Sequence, residues 1–168
     1  MRLILLFISS FLFHTISADH DISELRRLYY KAAVNKKSWK QFSSLLSPID
    51  TKSAPLFICY KGVGEMMEAK YSIAPWSKLS SFKSGKRLIE EAVRKDGKNP
   101  EIRFLRYSIQ TNLPSFLDYK DDIESDRKFL VNNLNKIQDK SLKSNIVQYL
   151  LDQKAFSDEE LKRLNNDG

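Results

Sequence analysis

The chain has 168 residues and a formal charge of +7, with 28 Lys and Arg against 21 Asp and Glu. That length points to one domain, and a single Cys excludes an internal disulfide. The basic residues are scattered, the densest groups being Lys36-Lys37 with Lys40 and Lys83 with Lys86-Arg87, which is too sparse for a nucleic-acid patch.

Residues 1–18 stand apart. Met1-Arg2 gives a positive start, Leu3 to Phe13 is an uncharged apolar run, and Ser17-Ala18 supplies small residues. This is the layout of a secretory signal peptide cleaved after Ala18 or Ser17. The run is shorter than the ~20 residues a spanning helix needs. The expected location is therefore periplasmic or extracellular, with no transmembrane segment left after cleavage. Residues 19–168 then form a single all-helical domain, long enough to bury roughly 68–70% of its unfolded surface. Its TPR-like (tetratricopeptide-repeat-like) core is expected over about 52–137 and its C-terminal helices over about 140–164.

From Asp19 onward the apolar spacing is helical. Asp21-Ile22-Ser23-Glu24 fits a capping box before Leu25, Leu28 and Tyr29. Ser38 with Gln41 opens a second helix carrying Trp39, Phe42, Leu45 and Leu46, which Pro48 ends. Pro55 suits the first turn of a third, along which Leu56, Tyr60, Val63 and Met67 recur. Gly62 and Gly64 lie inside that pattern and follow no strand, so they fit close helix contact rather than a dinucleotide turn. Residues 72–76 read as a turn before a fourth helix with Leu79, Phe82, Leu88, Ile89 and Ala92 facing inward. Asp96-Gly97 closes it, and Asn99-Pro100 opens the fifth as cap and first residue.

Pro114 ends the fifth helix, and acidic residues from Asp118 lead into a sixth with Ile123, Phe129, Leu130, Leu134 and Ile137. A seventh carries Leu142, Ile146, Tyr149 and Leu150, and Ser157-Asp158-Glu159-Glu160 is a capping box for a last short helix. No strand with a two-residue period appears. The fold class is all-α, a TPR-like stack of antiparallel helical hairpins with about seven helices and irregular repeats.

Two resemblances bear on this. Gly85, Ile89 and Ala92, followed by Asp96-Gly97-Lys98-Asn99, resemble the second half of a tetratricopeptide repeat. Gly97 stands where that family has proline, and the helix pairs recur about every 45 residues instead of about 34. The resemblance implies stacked hairpins used as a binding surface. The combination YKGVGEMMEAKY, SGKRLIEEAV, NPEIRFLRYSIQTNLPSFL and FSDEELKRL resembles a family of small exported proteins from Bacteroidota. That likeness implies an envelope or secreted location and a helical fold, and no reaction.

The chemistry is sparse. Beyond residue 18 the one histidine is His20, which leaves no Ser-His-Asp or Cys-His set and too few ligands for zinc. Cys59 lies in an apolar run and reads as a small buried hydrophobe. Gly85-Lys86 has Arg87 where a phosphate loop needs Ser or Thr. The residues thus name no catalytic group, metal or cofactor. Carboxylate pairs are present at Glu65 with Glu68, Glu90 with Glu91, and from Asp118 to Asp126, so a small carboxylate-dependent hydrolase acting on envelope glycans is the alternative class. A purely structural or accessory role is the third.

The fifth helix holds the candidate site. At about 100° per residue, Ile102, Leu105 and Ile109 share a core face. Arg103, Arg106 and Gln110 fall together on the opposite side with Tyr107 at their margin. Either this face bonds the acids Asp118, Asp121, Asp122, Glu124 and Asp126 at the start of the next helix, or it lines a groove that binds an acidic peptide, a carboxylate or an anionic glycan. The expected function is that of an exported, non-enzymatic helical-repeat protein binding a protein or peptide partner in the cell envelope.

Overall fold

The computed structural model describes residues 18–166, with side chains from 22 to 162. The expected signal peptide and the side chains of His20 and Asp21 lie outside the described residues. Among those described, the chain is all-helical: α1 (Ala18–Ala32), α2 (Lys36–Leu46), α3 (Pro55–Tyr71), α4 (Pro75–Lys95), α5 (Pro100–Asn112), α6 (Ile123–Asn133), α7 (Lys140–Asp152) and α8 (Asp158–Asn166). The eight helices are close to the expected seven or so, and no strand is present among the described residues.

Local chemistry sets most of the boundaries. Pro55, Pro75 and Pro100 each occupy a first helical turn, where the missing N–H costs nothing. Asn99 accepts from the backbone N–H groups of Glu101 and Ile102. Ser157 and Glu160 form the reciprocal capping box, with the Ser157 N–H donating to Glu160 Oε2 at 2.7 Å. Three starts differ from expectation. α1 begins at Ala18, before Asp21. α2 begins at Lys36 because Asn35, not Ser38, caps it. Pro75 belongs to α4, which shortens the preceding turn.

Consecutive helices pair as α1 with α2, α3 with α4 and α5 with α6. The α3–α4 hairpin is the tightest. A Cβ on Gly62 would lie 2.8 Å from the Gly85 carbonyl oxygen, and one on Gly85 would lie 2.6 Å from that of Gly62. Only hydrogen fits between the two backbones there. No glycine among the described residues has a positive φ, so Gly97 is not a left-handed cap. Its constraint is space, since a Cβ would lie 2.8 Å from the Val93 carbonyl oxygen. Two non-glycine residues, Asp118 (φ 48°) and Lys154 (φ 52°), carry the left-handed turns.

The core has two parts that share α5. The larger joins α1 to α5 through residues such as Leu25, Phe42, Ile58, Val63, Ile89 and Ile102. The smaller packs Phe104 and Tyr107 against Leu130, Leu134, Ile146 and Leu150. Thus α1 and α2 belong to the main core. Helix α5 is apolar toward both parts, which corrects the expected single core face and places Tyr107, 3% exposed, inside the second. The fourth helix departs in the other direction. Leu79, expected to face inward, is 42% exposed, and every residue from Ile73 to Ser80 is exposed.

Candidate functional site

Two sides of α5 hold the features that sequence reading singled out or missed. The first is a charged seam. Arg106 is 3% exposed and donates to Asp126 through Nε at 2.8 Å and Nη2 at 2.9 Å. Its Nη1 reaches Glu90 of α4 at 2.9 Å and lies 3.0 Å from Asp122. Burial opposes the charge on Arg106, but the bonds to Asp126 and the nearby acids outweigh it and push its pKa up. Arg103 Nε lies 2.6 Å from Asp126 Oδ1, with the guanidinium over the Phe129 ring. Gln110 is fully buried, its Nε2 3.5 Å from Asp122 and its Oε1 without a partner among the described residues.

The seam therefore binds α5 to both α4 and α6. Of the five acids expected at the start of α6, Asp126 and Asp122 reach Arg106, while Glu124 pairs with Arg127. Asp118 to Asp122 precede the helix instead of opening it. Glu90 had no expected role here. It also accepts from the Tyr119 hydroxyl at 2.5 Å, which anchors the connection into the main core. A second buried carboxylate, Glu101, was not anticipated. It accepts from Nε and Nη2 of Arg26 at 2.6 Å each and from the Tyr60 hydroxyl at 2.6 Å. Arg26 also bonds Asp139, the N-cap of α7, so one guanidinium ties α1, α5 and α7 together. No local pattern signals that pair, whose members are 75 residues apart.

The other side of α5 is a groove of about 930 Å³ between α1, α3, α4, α5 and α7. Its buried lining residues are Met66 and Met67 of α3 with Phe104 and Ser108 of α5. Tyr29 and Tyr30 of α1 and Leu79 and Phe82 of α4 also line it. Phe116 and Leu117, beyond α5, also line it, and Lys70 and Lys78 bring positive charge to a mostly apolar lining. Two of the lining tyrosines, Tyr29 and Tyr149, have their hydroxyls already engaged. That of Tyr29 meets Ser108 Oγ at 2.8 Å, and that of Tyr149 meets Thr111 Oγ1 at 2.7 Å and Asn112 Nδ2 at 2.6 Å. Burial pushes the pKa of the Tyr30 phenol up to about 12, so these rings stay neutral. Met66 and Met67 belong to the buried core and also present deformable apolar surface to the groove. The signal for it lay in Met66-Met67 and the aromatic pair Tyr29-Tyr30, which a core also needs.

The remaining candidates sit elsewhere. Glu65 and Glu68 line a smaller polar cavity of about 210 Å³ with Lys61 and Trp39. Burial and the neighbouring Glu68 push the Glu65 carboxyl pKa up. The two acids are three residues apart on one helix, so they point the same way and do not face each other across a cleft. Glu91 is bonded to Lys95. Cys59 is fully buried, and burial pushes its thiol pKa up, away from the reactive thiolate. No cluster of metal-binding side chains occurs among the described residues, and no helix among them is long and apolar enough to cross a membrane. Comparison with known protein families, curated proteins and solved structures finds no match to this chain.

Proposed function

We propose that the protein is an exported, non-catalytic binding protein whose site is the groove beside α5. Its ligand has an apolar body and an anionic end, either a fatty acyl amphiphile or the apolar terminus of an acidic peptide. The single observation behind this reading is an apolar space of about 930 Å³ with lysines among its lining residues. That volume is in the range of ligand pockets, and the mix of apolar wall and few polar groups is usual for them. The seam on the other side of α5 supports it indirectly, because Arg106 already meets three carboxylates. Export rests on residues 1–18 and on the likeness to small exported Bacteroidota proteins.

The test is binding of anilinonaphthalene sulfonate, an apolar anion that brightens in such sites. Wild type binds it, and Ala69→Phe, which fills the groove from α3, binds at least about tenfold more weakly while keeping its helical circular dichroism. Displacement by a long-chain fatty acid assigns an amphiphile, and displacement by an acidic peptide with an apolar C-terminus assigns a peptide. Equal probe binding by wild type and the filled variant overturns the reading.

A second reading, carboxylate-dependent hydrolysis, has the raised Glu65 beside Glu68 behind it. Oligosaccharide cleavage abolished by Glu65→Gln would establish it.

A further inference from the structure

The end of the bundle beside the groove has a surface property that groove binding does not require. Val34, Ile73, Trp76 and Phe116 are 85%, 96%, 83% and 84% exposed. Each is itself a groove-lining residue or lies within two residues of one: Val34 follows Ala33, Ile73 and Trp76 flank Pro75, and Phe116 lines the groove directly. The chain brings them to one end because α1, α3 and α5 finish there and α4 begins there. Lys70 donating to the Ala33 carbonyl and Tyr71 donating to that of Ala32 tie the ends of α3 and α1 together. The segments carrying the four residues, 31–37, 68–78 and 113–118, hold five lysines (Lys31, Lys36, Lys37, Lys70, Lys78) against two acids (Glu68, Asp118).

We propose that this end of the bundle docks on an anionic lipid surface, with Ile73, Trp76 and Phe116 entering the interface. A protein-binding patch gathers its apolar area into a packed centre with a polar rim. Here single apolar side chains stand out on a turn, a helix start and a 3-10 connection, with lysines among them. Such tips lose little by standing in water singly and gain by entering headgroups. Tryptophan suits that boundary, having an apolar body and one N–H to bond. Lysines can lie along the boundary with stems in the apolar layer and ammonium groups at phosphate. The excess of positive charge at this end selects anionic over neutral lipid. An acyl chain entering the groove would have a short path from such a surface, but docking needs only the rim.

The protein contains its own reporter. It has two tryptophans; Trp39 is buried and stacked on Tyr71, and Trp76 is exposed, so a blue shift on vesicle binding reads Trp76. The experiment titrates the protein from Asp19 to Gly168, without the expected signal peptide, with phosphatidylcholine vesicles with and without phosphatidylglycerol, and with brominated lipid as quencher. The expected result is a blue shift and quenching at least about tenfold more sensitive to anionic vesicles. Ile73→Ser/Phe116→Ser, checked for folding by circular dichroism, loses it, and Trp76→Phe has no shift. The groove-filled Ala69→Phe keeps the response, which separates docking from ligand binding. Equal response to both vesicle types, sedimentation with vesicles without a Trp76 response, or an unchanged response in the double serine variant each overturns the proposal. A Trp76 shift on adding a protein but on neither vesicle type makes this a protein surface and overturns it too.

Discussion

The two sides of α5 show how differently a fold treats charge and apolar surface. Toward α6, Arg106 and Arg103 meet Asp126 inside the protein, and Asp122 and Glu90 bond the rest of the Arg106 guanidinium. Toward α4 and α1, Phe104 and Ser108 border a space that none of the described residues fills. A buried charge without partners is too costly to persist, so the seam is closed by whatever acids the fold brings within reach. An apolar wall left open loses only the contacts it might have made. It can stay empty until a guest of matching chemistry fills it. Geometry of the first kind holds a structure together, and geometry of the second kind is available for binding.

The largest effect should come from breaking the seam. Asp126→Ala leaves the buried Arg106 and the partly exposed Arg103 without their shared carboxylate, and stability measured by urea unfolding should fall by about 3–5 kcal/mol. Removing both charges with Asp126→Leu/Arg106→Met should cost less than the single change, because the buried charge left unpaired dominates the loss. A single-variant loss under about 1 kcal/mol would show that the seam does not hold α5 to its neighbours.

Next is the α3–α4 contact. Gly85→Ala places a Cβ 2.6 Å from the Gly62 carbonyl oxygen and 2.5 Å from Met66, and backbone cannot yield as a side chain can. Thermal or urea unfolding should show a loss of about 1–3 kcal/mol. An equally stable variant would mean that the hairpin opens there without cost.

The groove should behave in the opposite way. Ala69→Phe adds volume where space is free, so its unfolding free energy should stay within about 1 kcal/mol of wild type while probe binding falls. A loss as large as that of the seam variant would mark the space as part of the packed core.

The smallest effect concerns α8. The backbone N–H of Ser157 bonds the Glu160 carboxylate and holds its pKa below the usual range; burial opposes this and Arg127 adds to it. A carboxyl with a lower pKa folded than unfolded contributes stability above the ordinary carboxylate range. That contribution is lost as pH falls through the depressed value. Amide exchange in α8, corrected for its intrinsic pH dependence, should therefore accelerate in acid before exchange in α3 does. Glu160→Gln should remove the difference.

Sequence reading reached the helices through local chemistry. Pro100 with Asn99, and Ser157 with Glu160, act within one turn, so their partners are already adjacent in the chain. It also placed Arg103, Arg106 and Gln110 on one stripe of α5, since helical period alone decides that. It did not see that Tyr107 faces a second core, because an apolar residue at the edge of a polar stripe does not say what packs on it. Leu79 was misplaced for the same reason: its spacing is right for a core, and only the absence of a covering helix leaves it exposed. Arg26 with Glu101, and Glu90 with Arg106, were beyond reach, as charges separated by many residues are matched by tertiary geometry.

By itself, then, the sequence determined that the described chain is helical, where most helices start and stop, and which residue types α5 presents, because each of these is settled within a turn or two. Only the tertiary structure decided which acids Arg106 meets, that Gly62 and Gly85 touch, and that one side of α5 is filled while the other is open. Those outcomes depend on which helices lie beside each other. That in turn is set by the sum of many weak contacts across the fold, which no local pattern encodes.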